Sequence, residues 1–419
     1  MPARSAATAE RPRWGWISSL GIATIVAYGV AYYSYGALID PIRHSTGWSA
    51  TALGATFSAV LVIGGVGGLF GGRLTDRFGT RPAFLIAGTL GAGGIALASL
   101  YRTPLAFGPL YGVGAGAVAA LGFYHVTQPA AIRAGGNEPQ RAVVVLTIFG
   151  AFASPIFLPL TAWLAQAVGW RNTLRIHAVL IAIVFLIGAS RGDLETPRRR
   201  HRQSAAAGKS EIRAALLTAW QRPAVRRWVF ASMISGAAID VILVYQVPIM
   251  IAAGLPTGAA ATIAGLRGFA QVGGRLTLPP LLTRLGARLT TVAALVIAIA
   301  AALLLLGSRD IVFAGAYCLL AGVSLGAIST LQGIYTNELV GGRDLSMLMG
   351  AQQAVFAAGS ALGPVIAALL FEKANSYTPV IMLTAVGLSA AALLLGSEPR
   401  RQCGPVSAQA IPDSTHSAA

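Results

Sequence analysis

Acidic residues are scarce in this chain. Its 419 residues hold 14 Asp and Glu against 31 Lys and Arg, a net charge of +17, and charged residues of all kinds reach 11%. Soluble domains carry about 25%, so a water-soluble globular protein is excluded. Lysine is almost missing, 2 against 29 arginines, a habit of GC-rich genomes. Two cysteines, Cys318 in an apolar run and Cys403 in the C-terminal tail, define neither a disulfide nor a metal-ligand spacing. No phosphate-cradling glycine loop is present, so no nucleotide is expected to drive the protein. No nucleophile–base constellation points to an enzyme, and no cofactor is implied. The basic excess does not indicate nucleic acid, because its largest cluster lies between apolar runs, where it has a topological meaning.

Apolar sequence fills the rest. Hydrophobic residues make up 55% and glycines number 50. The runs are about 20 residues long, which suits helices crossing a bilayer, whereas a barrel would show alternating segments of about ten. Twelve spans are expected, at 15–38, 50–71, 83–101, 105–129, 142–167, 173–190, 226–251, 257–281, 288–307, 311–336, 346–371 and 377–396. The first run is too long for a signal peptide and is expected to be retained. The fold class is therefore an all-α polytopic membrane protein with two six-helix halves. The domains are a cytoplasmic tail at 1–14, an N-terminal half at 15–190, a basic linker at 191–225, a C-terminal half at 226–396 and a tail at 397–419. Arg73, Arg77, Arg81, Arg133, Arg141, Arg284, Arg288 and Arg343 join the linker arginines on one side. That asymmetry places both termini in the cytoplasm, with the protein in the inner (plasma) membrane. The linker is expected to enforce topology, anionic-lipid binding being the alternative.

One stretch organises the chain: Gly71-Gly72-Arg73-Leu74-Thr75-Asp76-Arg77-Phe78-Gly79-Thr80-Arg81-Pro82. It is expected to form a short polar loop in which glycines let two helix ends turn sharply. It resembles the signature loop between helices 2 and 3 of the major facilitator superfamily. Gly72, Leu74, Asp76, Arg77, Gly79 and Arg81 match, and Thr80 departs at a position that is often basic. The resemblance implies a conformational latch made by Asp76 and the arginines; the alternative is a loop that only sets orientation. Gly273-Gly274-Arg275-Leu276-Thr277, followed by Thr283-Arg284-Leu285-Gly286-Ala287-Arg288, repeats the pattern in looser form after span 8. Parallel halves of this kind suit rocking about a central site.

A second resemblance concerns the branch. Tyr33-Ser34-Tyr35-Gly36-Ala37-Leu38-Ile39-Asp40-Pro41-Ile42, then Gly47-Trp48-Ser49, and Trp14-Gly15-Trp16 before span 1, look like the monocarboxylate and oxalate–formate transporters. Gly169-Trp170-Arg171 and Ala361-Leu362-Gly363-Pro364 are similar to more general features of the superfamily. Two departures matter. The animal members carry an acid four residues before an arginine of span 8, where this chain has Gln271, and a lysine in span 1, which is absent here. Their proton-coupling residues are not carried over. Ser154-Pro155 stands where drug–proton antiporters of the superfamily have a Gly-Pro pair.

Ionisable residues inside a span are costly and mark sites. Asp240 lies in span 7; Arg267 and Arg275 lie two turns apart in span 8, on roughly one face. Two guanidiniums and one carboxylate favour an organic anion, since a guanidinium fits a carboxylate in bidentate fashion. Arg267 is the expected carboxylate ligand and Arg275 a second. Asp240 is expected to carry a proton or gate the site, or else to pair structurally with Arg267. His125 is a further titratable candidate. Tyr28, Tyr32 and Tyr35 fall at i, i+4 and i+7, one helical face. Tyr28, Tyr32, Tyr124, Tyr245, Gln246, Gln271 and Gln352 are the uncharged candidates, interhelical hydrogen bonding being their alternative role. The expected function is gradient-driven transport of a small organic anion, a monocarboxylate, by a monomer in the lipid bilayer. The alternatives are an efflux carrier of the same fold and a transporter-like ligand sensor.

Overall fold

A backbone that crosses hydrocarbon has no water to pair with, and a helix satisfies its N–H and C=O groups internally. The computed structural model describes residues 11–192, 220–340 and 345–397, and among these every regular element is helical. Twelve helices follow one another: α1 Trp14–Thr46, α2 Ala50–Phe78, α3 Thr80–Ala98, α4 Pro104–Ala134, α5 Arg141–Val168, α6 Trp170–Arg191, α7 Pro223–Ala252, α8 Thr257–Leu276, α9 Leu278–Gly307, α10 Ile311–Val340, α11 Leu345–Ala374 and α12 Thr378–Gly396. Eleven contain a stretch long and apolar enough to cross a membrane. The other is α8, whose apolar sequence is interrupted by Arg267 and Arg275.

The expected polar loop at 71–82 is corrected. Helix α2 continues to Phe78, and the reversal is a single residue, Gly79, at φ 78° and ψ −177°. Side chains are essentially excluded from that region of backbone space, and Thr80 already begins α3. Gly286, at φ 72° and ψ 168°, makes the same break inside α9, and Gly169, at φ 80° and ψ 156°, makes it between α5 and α6. The looser repeat thus conserves the geometry of the reversal: Gly286-Ala287-Arg288 stands where Gly79-Thr80-Arg81 stands in the first half. The Pro279-Pro280 pair begins the extra turns before it. The side chain of Asp76 lies outside the described residues. Arg77 is exposed over the ring of Phe78, with 5.1 Å from guanidinium carbon to centroid, and Arg81 is exposed. The linker between α6 and α7 and both tails lie almost wholly outside the described residues.

The halves meet along three helix pairs. Gly36 of α1 lets the backbone approach Val244 of α7; Gly54 of α2 faces Pro364 and Ala368 of α11; Gly265 and Gly268 of α8 face Ala151, Ser154 and Pro155 of α5. On the side away from the termini, Glu372 of α11 reaches across to α2. Its carboxylate accepts the backbone N–H of Thr51 at 2.8 Å and the Thr51 hydroxyl at 2.5 Å. Thr51 lies in the first turn of α2, where free N–H groups and the helix dipole favour an anion. Beside it the Arg43 guanidinium sits 4.8 Å from the centre of the Phe371 ring.

Candidate substrate site between the halves

Among the described residues Arg267 is the largest fully buried side chain, with 0% exposure. Its Nε, Nη1 and Nη2 have no hydrogen-bond partner among the described residues. The nearest compensation is the face of Tyr33 from the opposite half, with the guanidinium carbon 5.6 Å from the ring centre. An aromatic face contributes about 0.5–2 kcal/mol to a cation. Burying an unpaired ion costs several kcal/mol, so the ring does not balance the charge. Tyr317 and Cys318 of α10 lie within electrostatic reach of Arg267. The Tyr317 hydroxyl donates to Gln246 Oε1 at 2.8 Å.

Tyr33 was not a sequence candidate, and the reason is local. Residues Gly29–Tyr33 of α1 form a π turn, which inserts one residue into the helical repeat. The expected single stripe of Tyr28, Tyr32 and Tyr35 is therefore corrected: Tyr28 packs on α4, while Tyr32 and Tyr35 both contact Phe57 of α2. Tyr28 stacks on Phe123 of α4 with centroids 3.8 Å apart and also touches Tyr124 at 5.1 Å. Tyr32 packs on Tyr33 and on Phe57 of α2. Tyr35 is buried, donating its hydroxyl to the Leu53 carbonyl at 2.7 Å. The turn rotates Tyr33 toward Arg267 instead.

Arg275 lies toward the terminal side of α8 with its Nε buried and unpartnered. Tyr28 and Tyr124, from the other half, are within its electrostatic reach. One cation–aromatic contact therefore bridges the halves, Arg267 with Tyr33, and Arg275 lies in the neighbourhood of Tyr28 and Tyr124. Gln271 is half-buried between the two arginines.

The remaining candidates fall elsewhere. Asp240 is 5% exposed on α7 and lies beside Ser360 of α11; no ion pair joins it to Arg267 among the described residues. Tyr245 donates to the Pro364 carbonyl at 3.0 Å, tying α7 to α11. Gln246, besides accepting from Tyr317, donates to Leu243 at 2.8 Å. Both thus make the interhelical hydrogen bonds that were their alternative role. His125 is exposed, with Nε2 2.8 Å from the Ala120 carbonyl. The side chain of Gln352 lies outside the described residues. Among the described residues no cluster of His, Cys, Asp and Glu could hold a metal ion.

Two six-helix halves with broken helices and ionisable groups at their seam form the architecture of a secondary transporter. The sequence profile of the Major Facilitator Superfamily matches residues 20–341. The chain belongs to the Major Facilitator Superfamily. Solved structures of similar fold include the nucleoside transporter NupG, at 16% identity and a TM-score of 0.75 over 91% of this chain and 98% of that one. A POT family transporter in complex with 5-aminolevulinic acid gives 11% identity and 0.68 over 92% and 96%. A D-xylose–proton symporter gives 16% and 0.66 over 90% and 95%. A search of curated protein sequences finds no match. Membership makes the chain a multi-pass membrane protein of a transporter superfamily.

Proposed function

We propose that this transporter moves a small organic anion, a monocarboxylate, by alternating access. The fold does not choose the cargo, since proteins of similar fold are named for nucleosides and xylose. The observation that carries the reading is Arg267: a cationic fork, fully buried at the seam of the halves, with all three nitrogens unpartnered. A carboxylate would supply the missing acceptors in bidentate geometry. Tyr33 supplies an apolar face beside it, and Arg275 with Tyr28 and Tyr124 offers a second anion contact toward the terminal side. Asp240, separate from both arginines, is assigned proton coupling or gating from α7, and His125 is the next titratable group. Asp76 and Arg77 act as the latch of one closed state. The protein works as a monomer in the inner membrane with both termini in the cytoplasm. The likeness to the monocarboxylate branch at Tyr33–Ile42 and Gly47–Ser49 supports the same cargo.

Uptake by purified protein in liposomes tests this, with labelled mono- and dicarboxylates and an imposed proton gradient. At least one monocarboxylate is expected to accumulate. Arg267→Gln is expected to cut its uptake at least about 100-fold, as for removal of one partner of a buried charge pair. Near-normal uptake by that variant would remove the assigned role, and uptake of cationic drugs with no acid would establish the efflux reading.

A further inference from the structure

His177 is a buried titratable residue that the transport reading leaves unused. It is the eighth residue of α6, 1% exposed, inside the N-terminal half. Its Nε2 is 3.4 Å from Thr161 Oγ1 of α5. Thr161 Oγ1 is 2.8 Å from Ser34 Oγ of α1. Ser34 Oγ donates to the Gly29 carbonyl at 2.8 Å, and the same carbonyl accepts the Ser34 backbone N–H as the closing bond of the π turn. The chain thus runs from the imidazole to the turn that holds Tyr33 under Arg267.

Its direction follows from hydrogen counting. A hydroxyl has one proton. Ser34 gives its proton to Gly29, so it accepts from Thr161; Thr161 has then used its proton and accepts from His177. Nε2 therefore carries the imidazole hydrogen, and Nδ1 is a bare lone pair. That Nδ1 is buried and has no partner.

Among the described residues no acidic group is bonded to the imidazole. On α9's opposite number in the first half, α3, no ionisable residue lies between Arg81 and Tyr101, and α5 has none after Arg141. Helix α5 presents Phe157, its ring centroid 6.0 Å from the imidazole, and Thr161. From α1 the ionisable groups are Tyr28, Tyr32, Tyr33 and Tyr35, with Asp40, Arg43 and His44 toward its far end. On α6 itself Arg171 and Arg175 are engaged with Ser99, Tyr101 and Asn172, and Arg191 with Ser19. Asp40 is the one acid on these elements.

We propose that His177 is a positioning residue that accepts a proton at Nδ1 and thereby raises anion affinity, acting through Thr161, Ser34 and the π turn on the Tyr33–Arg267 site. This rests on the anion reading. The proton comes from bulk water, adds to the lone pair and returns to bulk water on release; no other bond breaks. Binding of anion and proton is reciprocal.

The test combines two readouts on the full-length protein in liposomes. Solid-state NMR of 15N-histidine-labelled protein is expected to show, for the signal missing in His177→Gln, a bare Nδ1 and protonated Nε2 at pH 7.5, converting to imidazolium toward pH 4. An Nδ1–H tautomer, or no conversion, would overturn the proposal. In acid uptake, KM is expected to fall several-fold between pH 7.5 and 4 while kcat changes less. His177→Gln should flatten the KM profile, as should Thr161→Val, which leaves the imidazole in place and serves if the first variant does not fold. An unchanged KM profile in either variant would overturn the role. Absence of any acid uptake by the unaltered protein defeats the anion reading instead, and leaves the NMR result to stand or fall separately.

Discussion

Arg267 is a buried cation whose N–H groups find no acceptor among the described residues. Replacing an uncompensated buried charge by a neutral group of similar shape is often stabilising. Arg267→Gln or Arg267→Met is therefore expected to raise the thermal midpoint of the substrate-free protein while abolishing acid uptake, as read by differential scanning fluorimetry beside the transport assay. A lowered midpoint would show that the guanidinium has a partner after all. Tyr245 behaves oppositely. Its hydroxyl ties α7 to α11 through Pro364, so Tyr245→Phe should cost about 1 kcal/mol of stability with uptake largely retained. Arg267 was legible in the sequence because an arginine inside an apolar run is rare and costly. Tyr245 and Gln246 were visible as polar residues in a span, but whether they bind cargo or neighbours depends on which helix faces them.

Helix geometry explains the errors of register. A period of 3.6 put Tyr28, Tyr32 and Tyr35 on one face, and the π turn at Gly29–Tyr33 parts Tyr28 from the other two, which share Phe57. A single inserted residue has no compositional signature. Deleting Ala31 is expected to restore α-helical register, turn Tyr33 away from Arg267 and abolish transport without loss of helix content by circular dichroism. The reversals at Gly79, Gly169 and Gly286 share one glycine-only conformation. Gly79→Ala should destabilise by about 1–3 kcal/mol, measured as a lower thermal midpoint. The glycines of the signature were readable from sequence as a tight turn, but the charged residues between them extend α2, since nothing in Arg-Leu-Thr-Asp-Arg-Phe prevents a helix.

The halves are joined on the side away from the termini by Glu372 at the first turn of α2 and by Arg43 over Phe371. Glu372→Gln weakens the acceptor and the charge–dipole attraction. It is expected to shift the conformational equilibrium several-fold toward a state open on that side, read by electron–electron distance measurements between labels on α2 and α11. Unchanged distances would make the contact incidental. Asp76→Asn is expected to slow turnover more than binding, checked by comparing kcat with KM, since the latch would act on the rate of interconversion.

Hydrophobic runs, arginine placement and the glycine signature are local properties of the chain, so twelve helices, two halves and the superfamily could be recognised before any coordinates. The cation in span 8 was visible for the same reason. The partners of that cation were not. Tyr33 reaches Arg267 only because a π turn rotates it and because the two halves pack face to face, across more than 230 positions of sequence. Asp240 and Arg267 stand apart because α7 packs its acid against α11 and α8 turns its arginine toward α1. Helix existence follows from burial and backbone pairing within one segment; the composition of the site follows from rotation and contact between segments, which tertiary packing alone settles.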